Sequence, residues 1–490
     1  MAVFGKTCNM INFEMSKAKL NPMRKNLFNL ILLTLYSHHL TAQTRLDTVK
    51  KIQHIFSQYQ PCQPGCQLAI SLNGKLIYSG AWGMADIEHQ VMLSTTSVIE
   101  AGSVSKQFTA AAILLLAQEG KLSLTDDLRK YIPEIPVYDT TITLGHMLHH
   151  TSGLKDWGTL MSLSDWPRGT KLYTNAEVLN IMSRQGSLNF RPGSDYAYSN
   201  SNYVLLAIIV ERVSGHTLAD FTRERIFKPA GMIHTQWRTD TRKIVHDRAI
   251  AYGREGDAYF TDMPNENVYG NAGLLTTAED LLRWNNFYGR GKLGQPSILA
   301  EQLHTVSLSN GKNNNYAAGL RVDSIAGRRV ISHDGATAAY RSLLEYYPDK
   351  NLSIAWLSNT SAFDGSPNVL DSLRQLFFSD PVKVQAAAKK SQSRSADEFK
   401  IDSAVLQDYL GNYSSDEIGA NLSITRVADK LIINRRNGSK FTLVPTALDR
   451  FAIEDSSVSV VFERGKKRKV TSLAFTTPRV RHVVFYKVLR

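Results

Sequence analysis

Residues 101–120 read AGSVSKQFTAAAILLLAQEG. From Val104 to Glu119 the apolar residues recur with a helical period, which puts Phe108, Ala111, Ala112, Leu115 and Leu116 on one face. Gly120 supplies a stop. Ser103 and Lys106 lie three apart at the start of this helix, so their side chains share a face and can touch. Ser105 points elsewhere. A serine hydroxyl is a poor nucleophile until a base takes its proton. Lysine ordinarily titrates near ~10.4, and becomes such a base only where burial or its neighbours lower that value. Unpaired N–H groups at a helix start also favour negative charge developing at Ser103. Alone, the pattern S-x-x-K is weak: an N-cap serine followed by a solvated lysine gives the same letters.

Outward from this helix, strand signals lie at both ends of the region. Upstream, a helical pattern over Leu46 to Tyr59 precedes a hairpin: Leu68–Leu72, then Asn73-Gly74, then Lys75–Tyr78. Asn-Gly between two β-rich runs is a strong two-residue turn signal. Downstream to about Arg283 the pattern is mostly helices and loops. Arg329–Ser332, Ser342–Tyr347 and Leu352–Leu357 then read as strands, with a turn at Pro348–Asn351 and a last helix near Val369–Phe378. Strands at both ends and helices between predict an α/β (α+β) domain, one antiparallel sheet with a helical insertion. The groove between sheet and insertion is the natural place for a site.

Two further motifs bear on Ser103. Tyr198-Ser199-Asn200 follows Arg191-Pro192-Gly193 and precedes an apolar helix. Tyr198 and Asn200, two apart in a loop, can face the same way. A phenol beside Ser103 and Lys106 can relay a proton to a leaving group and activate water afterwards. Asn200 can bond the substrate and orient Lys106. His333-Asp334-Gly335 is expected on an edge-like strand ahead of Ala336. Gly335 lets a substrate approach the backbone. The Ala336 N–H, paired with that of Ser103, forms a candidate oxyanion hole. His333 would give the substrate a positive or hydrogen-bonding group.

In order and at these separations, the three motifs resemble the serine β-lactamase and penicillin-binding protein family. The class C-like branch of β-lactamases, D-Ala-D-Ala carboxypeptidases, D-amino-acid peptidases and esterases is the most similar. The resemblance runs from about Thr48 to Phe378. It includes Gln63-Pro64-Gly65, Leu148-His-His-Thr-Ser-Gly-Leu154, Pro229-Ala-Gly-Met232 and Gly273-Leu-Leu-Thr-Thr-Ala-Glu-Asp280. It implies a β-lactamase/transpeptidase-like fold, Ser103 as acylated nucleophile, Lys106 as its base and Tyr198 as general acid/base. Asn200, His333, Gly335 and Ala336 would bind substrate, with no metal and no cofactor. His150-Thr-Ser-Gly153 is read as ordering a turn near the site. The third motif departs from the family's Lys-Thr-Gly: His333 is only partly charged at neutral pH, which shifts weight from β-lactamase towards esterase or peptidase activity. Asp334 would either raise that charge or repel an anionic substrate. Ala336 and Ala339 stand where many relatives have glycine.

The expected activity is hydrolysis of an ester or amide of a small molecule or a peptide, cell-wall-derived substrates included. Rival readings are a slowly acylating receptor for cell-wall fragments or β-lactams, and a non-catalytic scaffold on the same fold. Oligomeric state is written in no motif.

The remaining segments frame this domain. Met23-Arg24-Lys25, the apolar run Leu27–Tyr36 and Leu40-Thr41-Ala42-Gln43 follow the order of an export signal. Residues 1–43 are therefore expected to be removed, with the natural start at Met23 and a periplasmic or secreted destination. The run is too short to span a bilayer, and no later one is long enough. The hydrolase domain is expected over 44–382, a small polar and basic linker over 383–402, and an all-β barrel or sandwich over 403–490. The last resembles the lipocalin-like domain appended to many of these hydrolases. Of the net charge of +13, residues 1–43 carry four, and the rest is spread thinly. The basic run Arg464–Lys469 reads as a solvated β-turn, with no nucleic-acid motif beside it. Cys62 and Cys66 have no partners at zinc spacing; a small-loop disulfide and two thiols are both open.

Overall fold

The computed structural model describes residues 47–325, 327–362, 368–378, 399 and 401–488. The expected export signal and nearly all of the expected linker lie outside the described residues. The chain divides into two compact units, Met1–Ser57 and Gln58–Arg490. In the first, residues 47–55 form a helix. The second holds the sheet, the site and the barrel.

Its six-stranded antiparallel sheet takes β1 (Cys66–Leu72) and β2 (Lys75–Trp82) from the front of the chain. β3 (Arg321–Ile325), β4 (Arg328–Thr337), β5 (Tyr340–Tyr347) and β6 (Leu352–Ser358) come from the back. The order is β3-β4-β5-β6-β1-β2, so the two ends of the region meet where β6 pairs β1, from Cys66 opposite Ser358 to Leu72 opposite Leu352. The β1–β2 turn has Asn73 and Gly74 at φ 53° and 71°, both in the left-handed region that an Asn-Gly turn requires. β1 is buried from Cys66 to Ser71 on both faces, because a helix packs over it.

The helices that matter for the site are α1 (Lys106–Gln118) and α2 (Asn200–Ser214), which pack on each other, and α3 (Ala278–Gly289) against β1 and β6. α1 differs from its expected one-faced pattern: every residue from Lys106 to Leu116 is buried. The run Ala110-Ala111-Ala112 explains this, since small side chains let neighbouring elements close on the faces that would otherwise meet water.

The C-terminal part is a closed eight-stranded barrel. Its strands are β7 (Gly411–Ser415), β8 (Ala420–Val427), β9 (Lys430–Arg435), β10 (Lys440–Ala447), β11 (Arg450–Ile453), β12 (Ser459–Arg464), β13 (Val470–Thr476) and β14 (Val483–Lys487). Closure removes the exposed edges that an open sheet would leave. The basic run forms the β12–β13 turn, and Arg464 pairs with Asp408 and Asp449. Cys62 and Cys66 are both free thiols, the first exposed and the second buried. Among the described residues no helix is long and apolar enough to cross a membrane.

Candidate active site

Ser103 sits in a 3-10 turn, Gly102–Ser105, that leads into α1. This turn is pressed against β4. Gly102 has φ +49°, and a Cβ there would stand 2.7 Å from the Ala336 nitrogen. A Cβ on Gly335 would lie 2.2 Å from the Ala101 carbonyl oxygen and 3.0 Å from the Ser103 nitrogen. Two glycines thus let the amides of Ser103 and Ala336 come together, the arrangement an oxyanion hole needs. β3 pairs β4 only as far as Ser332, so among the described residues His333–Thr337 has no strand neighbour on that side, as an edge-like reading anticipates. Ser105 faces away: its hydroxyl donates to the Gly102 carbonyl and accepts from the Leu274 N–H.

Lys106 is fully buried. Its Nζ reaches Ser103 Oγ at 3.1 Å, Asn200 Oδ1 at 2.9 Å and the Asn271 carbonyl at 2.7 Å. Burial pushes its pKa well below the usual lysine value; the Asp156 carboxylate pulls it back up, and Arg479 and Arg168 press it down further. At the lowered pKa the amine has a lone pair to offer the Ser103 hydroxyl. Tyr198 lies against this group, its ring centroid 4.8 Å from Lys106 Nζ. Burial raises the Tyr198 pKa, and a hydrogen bond with Ser103 offsets part of the rise. The phenol therefore keeps its proton at neutral pH.

Asn200 is the first residue of α2 rather than part of the preceding loop. The reason lies in the LKDW stretch, which the sequence motifs do not include. Asp156, 1 % exposed, accepts the Asn200 N–H at 2.7 Å through one oxygen and the Thr159 N–H at 2.9 Å through the other. One carboxylate thus starts two helices. His150, at φ 57°, is buried and packs on the Tyr198 ring with centroids 4.3 Å apart. Its Nδ1 accepts from the Ser199 N–H and from Asn202 Nδ2, so Nε2 carries the proton, with no hydrogen-bond partner among the described residues and with tyrosine rings around it. That matches a turn-ordering role with a second effect, support of Tyr198.

His333 is placed differently from expectation. It is 2 % exposed, its Nε2 accepts from Tyr316 Oη at 2.9 Å, and its Nδ1 donates to the Asp334 carbonyl at 2.6 Å. Burial, and then Lys106, push its pKa down to about 4, overriding the opposite pull of Asp334. The imidazole is neutral, and both its nitrogens are engaged by the protein itself.

The barrel meets this region. Lys155, fully buried, pairs with Glu417 Oε1 at 2.6 Å, and Arg481 pairs with Asp195 at 2.7 Å. The barrel's Arg479 stacks on the Tyr198 ring, 4.9 Å from its centroid.

Residues 52–376 match the Beta-lactamase family. Penicillin-binding protein 4* of Bacillus subtilis (strain 168) is 28% identical over 413 residues, covering 80% of this chain and 88% of that protein. The D-aminopeptidase of Brucella anthropi is 28% identical over 377 residues, 76% of this chain and 67% of that protein. An octameric penicillin-binding protein homologue from Pyrococcus abyssi has the same fold, with TM-score 0.59 at 20% identity over 91% of this chain and 99% of that one. The D-amino acid amidase of Ochrobactrum anthropi SV3 matches with TM-score 0.56 at 21% identity, over 68% of this chain and 99% of that one. With a match over well more than half its length, around the Ser103–Lys106–Tyr198 group, the chain belongs to the Beta-lactamase family.

Proposed function

We propose that the protein is a serine hydrolase that opens an ester or amide through an acyl-Ser103 intermediate. Small esters and D-amino-acid peptides are its substrates, and β-lactams are weak ones. The observation that carries this reading is Lys106, whose buried Nζ stands 3.1 Å from Ser103 Oγ with its pKa pushed far down. The free amine takes the Ser103 proton as Oγ bonds to the substrate carbonyl carbon. The oxyanion that forms lies between the N–H groups of Ser103 and Ala336. Tyr198 gives its proton to the departing oxygen or nitrogen as the C–O or C–N bond breaks, and regains one from the Lys106 ammonium. Water then attacks the acyl carbon by the reverse route and Ser103 leaves with its proton restored. Asn200, held by Asp156, keeps Lys106 in place and reaches the substrate with its amide.

A neutral, doubly bonded His333 gives a β-lactam carboxylate no fixed cation on this strand, which is why β-lactams receive the smaller part. The likeness to a D-aminopeptidase supports the D-peptide part. A periplasmic or secreted location rests on the export-like order of residues 23–43; mature protein with its N-terminus intact at Met1 would refute it.

The test is hydrolysis of p-nitrophenyl butyrate and D-alanine p-nitroanilide by purified protein beside a Ser103→Ala control. Turnover that disappears in the control supports the reading. Equal turnover in both removes Ser103 as nucleophile. A persistent acyl adduct without turnover, seen by intact mass, would make the protein a slowly acylating receptor.

A further inference from the structure

The loop between β13 and β14 leaves the barrel and is fastened to the hydrolase on either side of Arg479. Within the loop, Thr477 Oγ1 accepts the N–H groups of Arg479 and Val480. Asn189 Nδ2 donates to the Arg479 carbonyl at 2.9 Å, and Asn189 Oδ1 accepts the Arg481 N–H at 2.7 Å. Asn189 is itself tied to the Gly153 carbonyl at 2.7 Å, in the turn that carries His150. Val480 is fully buried. The backbone at Arg479 is thereby fixed, while its side chain is exposed and stacked on Tyr198.

The ionisable groups around Tyr198 are otherwise occupied. Lys106 is spent on three oxygens, Arg168 on Glu266, Arg481 on Asp195, and Asp156 on two helix starts. Arg321 stacks on Tyr316 and faces Tyr196 and Asp334. Asp334 is exposed, and its charge also bears on Tyr198. Among the described residues, no hydrogen bond or ion pair holds the Arg479 guanidinium; the Tyr198 ring is its contact. A guanidinium presents a flat fork of N–H donors that matches a carboxylate in two parallel bonds. His333, at the place where β-lactamase relatives carry a cationic lysine, is neutral here.

We propose that Arg479, delivered from the barrel, anchors a substrate carboxylate, so that the enzyme prefers esters and peptides whose leaving group ends in a free carboxylate. The inference rests on the acyl-Ser103 reading with Tyr198 as proton donor. A guanidinium stacked on the group that protonates the leaving group stands on the leaving group's side of the scissile bond. The barrel is then a specificity element, and Asn189 its fastening.

The test separates binding from turnover. In the Ser103→Ala protein, which cannot acylate, the affinities of N-acetyl-D-alanyl-D-alanine and of its C-terminal amide are measured by calorimetry. The acid should bind at least about tenfold more tightly, as a charge-assisted bidentate contact gives. Adding Arg479→Ala should abolish the difference by weakening the acid alone, and Arg479→Lys should restore part of it. With Ser103 intact, Arg479→Ala should lower kcat/KM for the acid by at least about tenfold more than for p-nitrophenyl butyrate, which has no carboxylate to anchor, and an equal loss on both substrates overturns the proposal. Equal affinity for acid and amide, or an equal loss of both on Arg479→Ala, overturns the proposal. Ester turnover that survives Ser103→Ala overturns the acyl-serine reading instead, and the affinity comparison does not depend on that result.

Discussion

Asp156 accepts the Asn200 backbone N–H at 2.7 Å, and Asn200 in turn accepts Lys106 Nζ at 2.9 Å, so a buried carboxylate is linked to the base through one residue. The carboxylate does two jobs. It satisfies the starts of two helices, and it partly opposes the lowering of the Lys106 pKa. Asp156→Asn should separate them. An amide oxygen still accepts one N–H, so the fold should survive with a loss of about 1–2 kcal/mol from weakened capping, read as a lower Tm. Removing the negative charge lowers the Lys106 pKa further, so the acid limb of kcat/KM should move to lower pH. An unmoved limb would mean that Asp156 acts on the helices only.

The pH profile of the parent protein follows from the same lysine. Lys106 is the base only when neutral, and burial has brought its pKa well below the ordinary lysine range. Activity should therefore rise with pH through that lowered value and be established well below pH ~10.4, where an unperturbed lysine would titrate. Stability follows the same sign. Between the two pKa values the unfolded chain holds a proton that the folded one lacks, so this group makes stability increase with pH across that window. Lys106→Arg cannot lose its proton and should cut kcat/KM by about a thousandfold or more. A rate that climbs only above pH ~10 would show that the base is not an amine whose pKa burial has lowered.

Gly335 tests the contact between β4 and the nucleophile turn. A methyl there would lie 2.2 Å from the Ala101 oxygen and 2.3 Å from Ser342 Oγ, and the Ser342 hydroxyl already donates to that same carbonyl. Gly335→Ala must push the Ser103 turn away from the strand. A loss of one oxyanion donor's alignment corresponds to about a hundredfold in kcat. A Gly335→Ala enzyme with unchanged kcat would remove the Ser103 and Ala336 amides as the oxyanion site.

Much of this was legible in the sequence because it is local. The Asn73-Gly74 hairpin, the three late strands and the spacing of Ser103 and Lys106 depend on neighbours within a few residues. What was missed depends on distant parts of the chain. β3, RVDSI, is an edge strand with no buried residue, so no alternation marks it. In the barrel, β7, β11 and β13 carry no clear strand signal of their own: GNYSS is mostly polar letters, RFAI is four residues long, and β13 is buried over four successive positions. Asn200 reads as a loop residue until Asp156, far back in the chain, is seen to start its helix. His333 reads as a substrate group until Tyr316 closes on its ring. Arg479 lies in a segment that carries no motif, and only the docking of the barrel brings it to Tyr198.

His150 offers two substitutions with opposite expectations. His150→Asn keeps an acceptor near the Nδ1 position, and asparagine tolerates the positive φ. It removes the ring that packs on Tyr198, so stability should fall by no more than about 1 kcal/mol while kcat drops, since the interior hydrogen bonds are kept. His150→Phe keeps a ring but strands the Ser199 N–H and the Asn202 amide, costing about 2–4 kcal/mol for two unmet buried donors. Thermal unfolding and kcat on one ester, measured side by side, decide between support of Tyr198 and mere ordering of the turn. Equal kcat for the Asn variant and the parent would leave only the latter.

The barrel's hold on the hydrolase can be measured at Lys155 and Glu417. Lys155 is fully buried, and its Nζ lies 2.6 Å from Glu417 Oε1 in the loop after β7. Glu417→Gln leaves a buried ammonium facing an amide, which should cost about 3–5 kcal/mol as for other broken buried pairs. Lys155→Met with Glu417→Leu replaces the pair by apolar groups and should cost much less than the sum of the single changes. The coupling from this double-mutant cycle, by urea unfolding, is therefore expected to be large and favourable. If Glu417→Gln also weakens the preference for a substrate carboxylate, the pair helps hold the Arg479 loop on Tyr198. If stability falls and the preference stays, Asn189 and Asp195 alone suffice to position that loop.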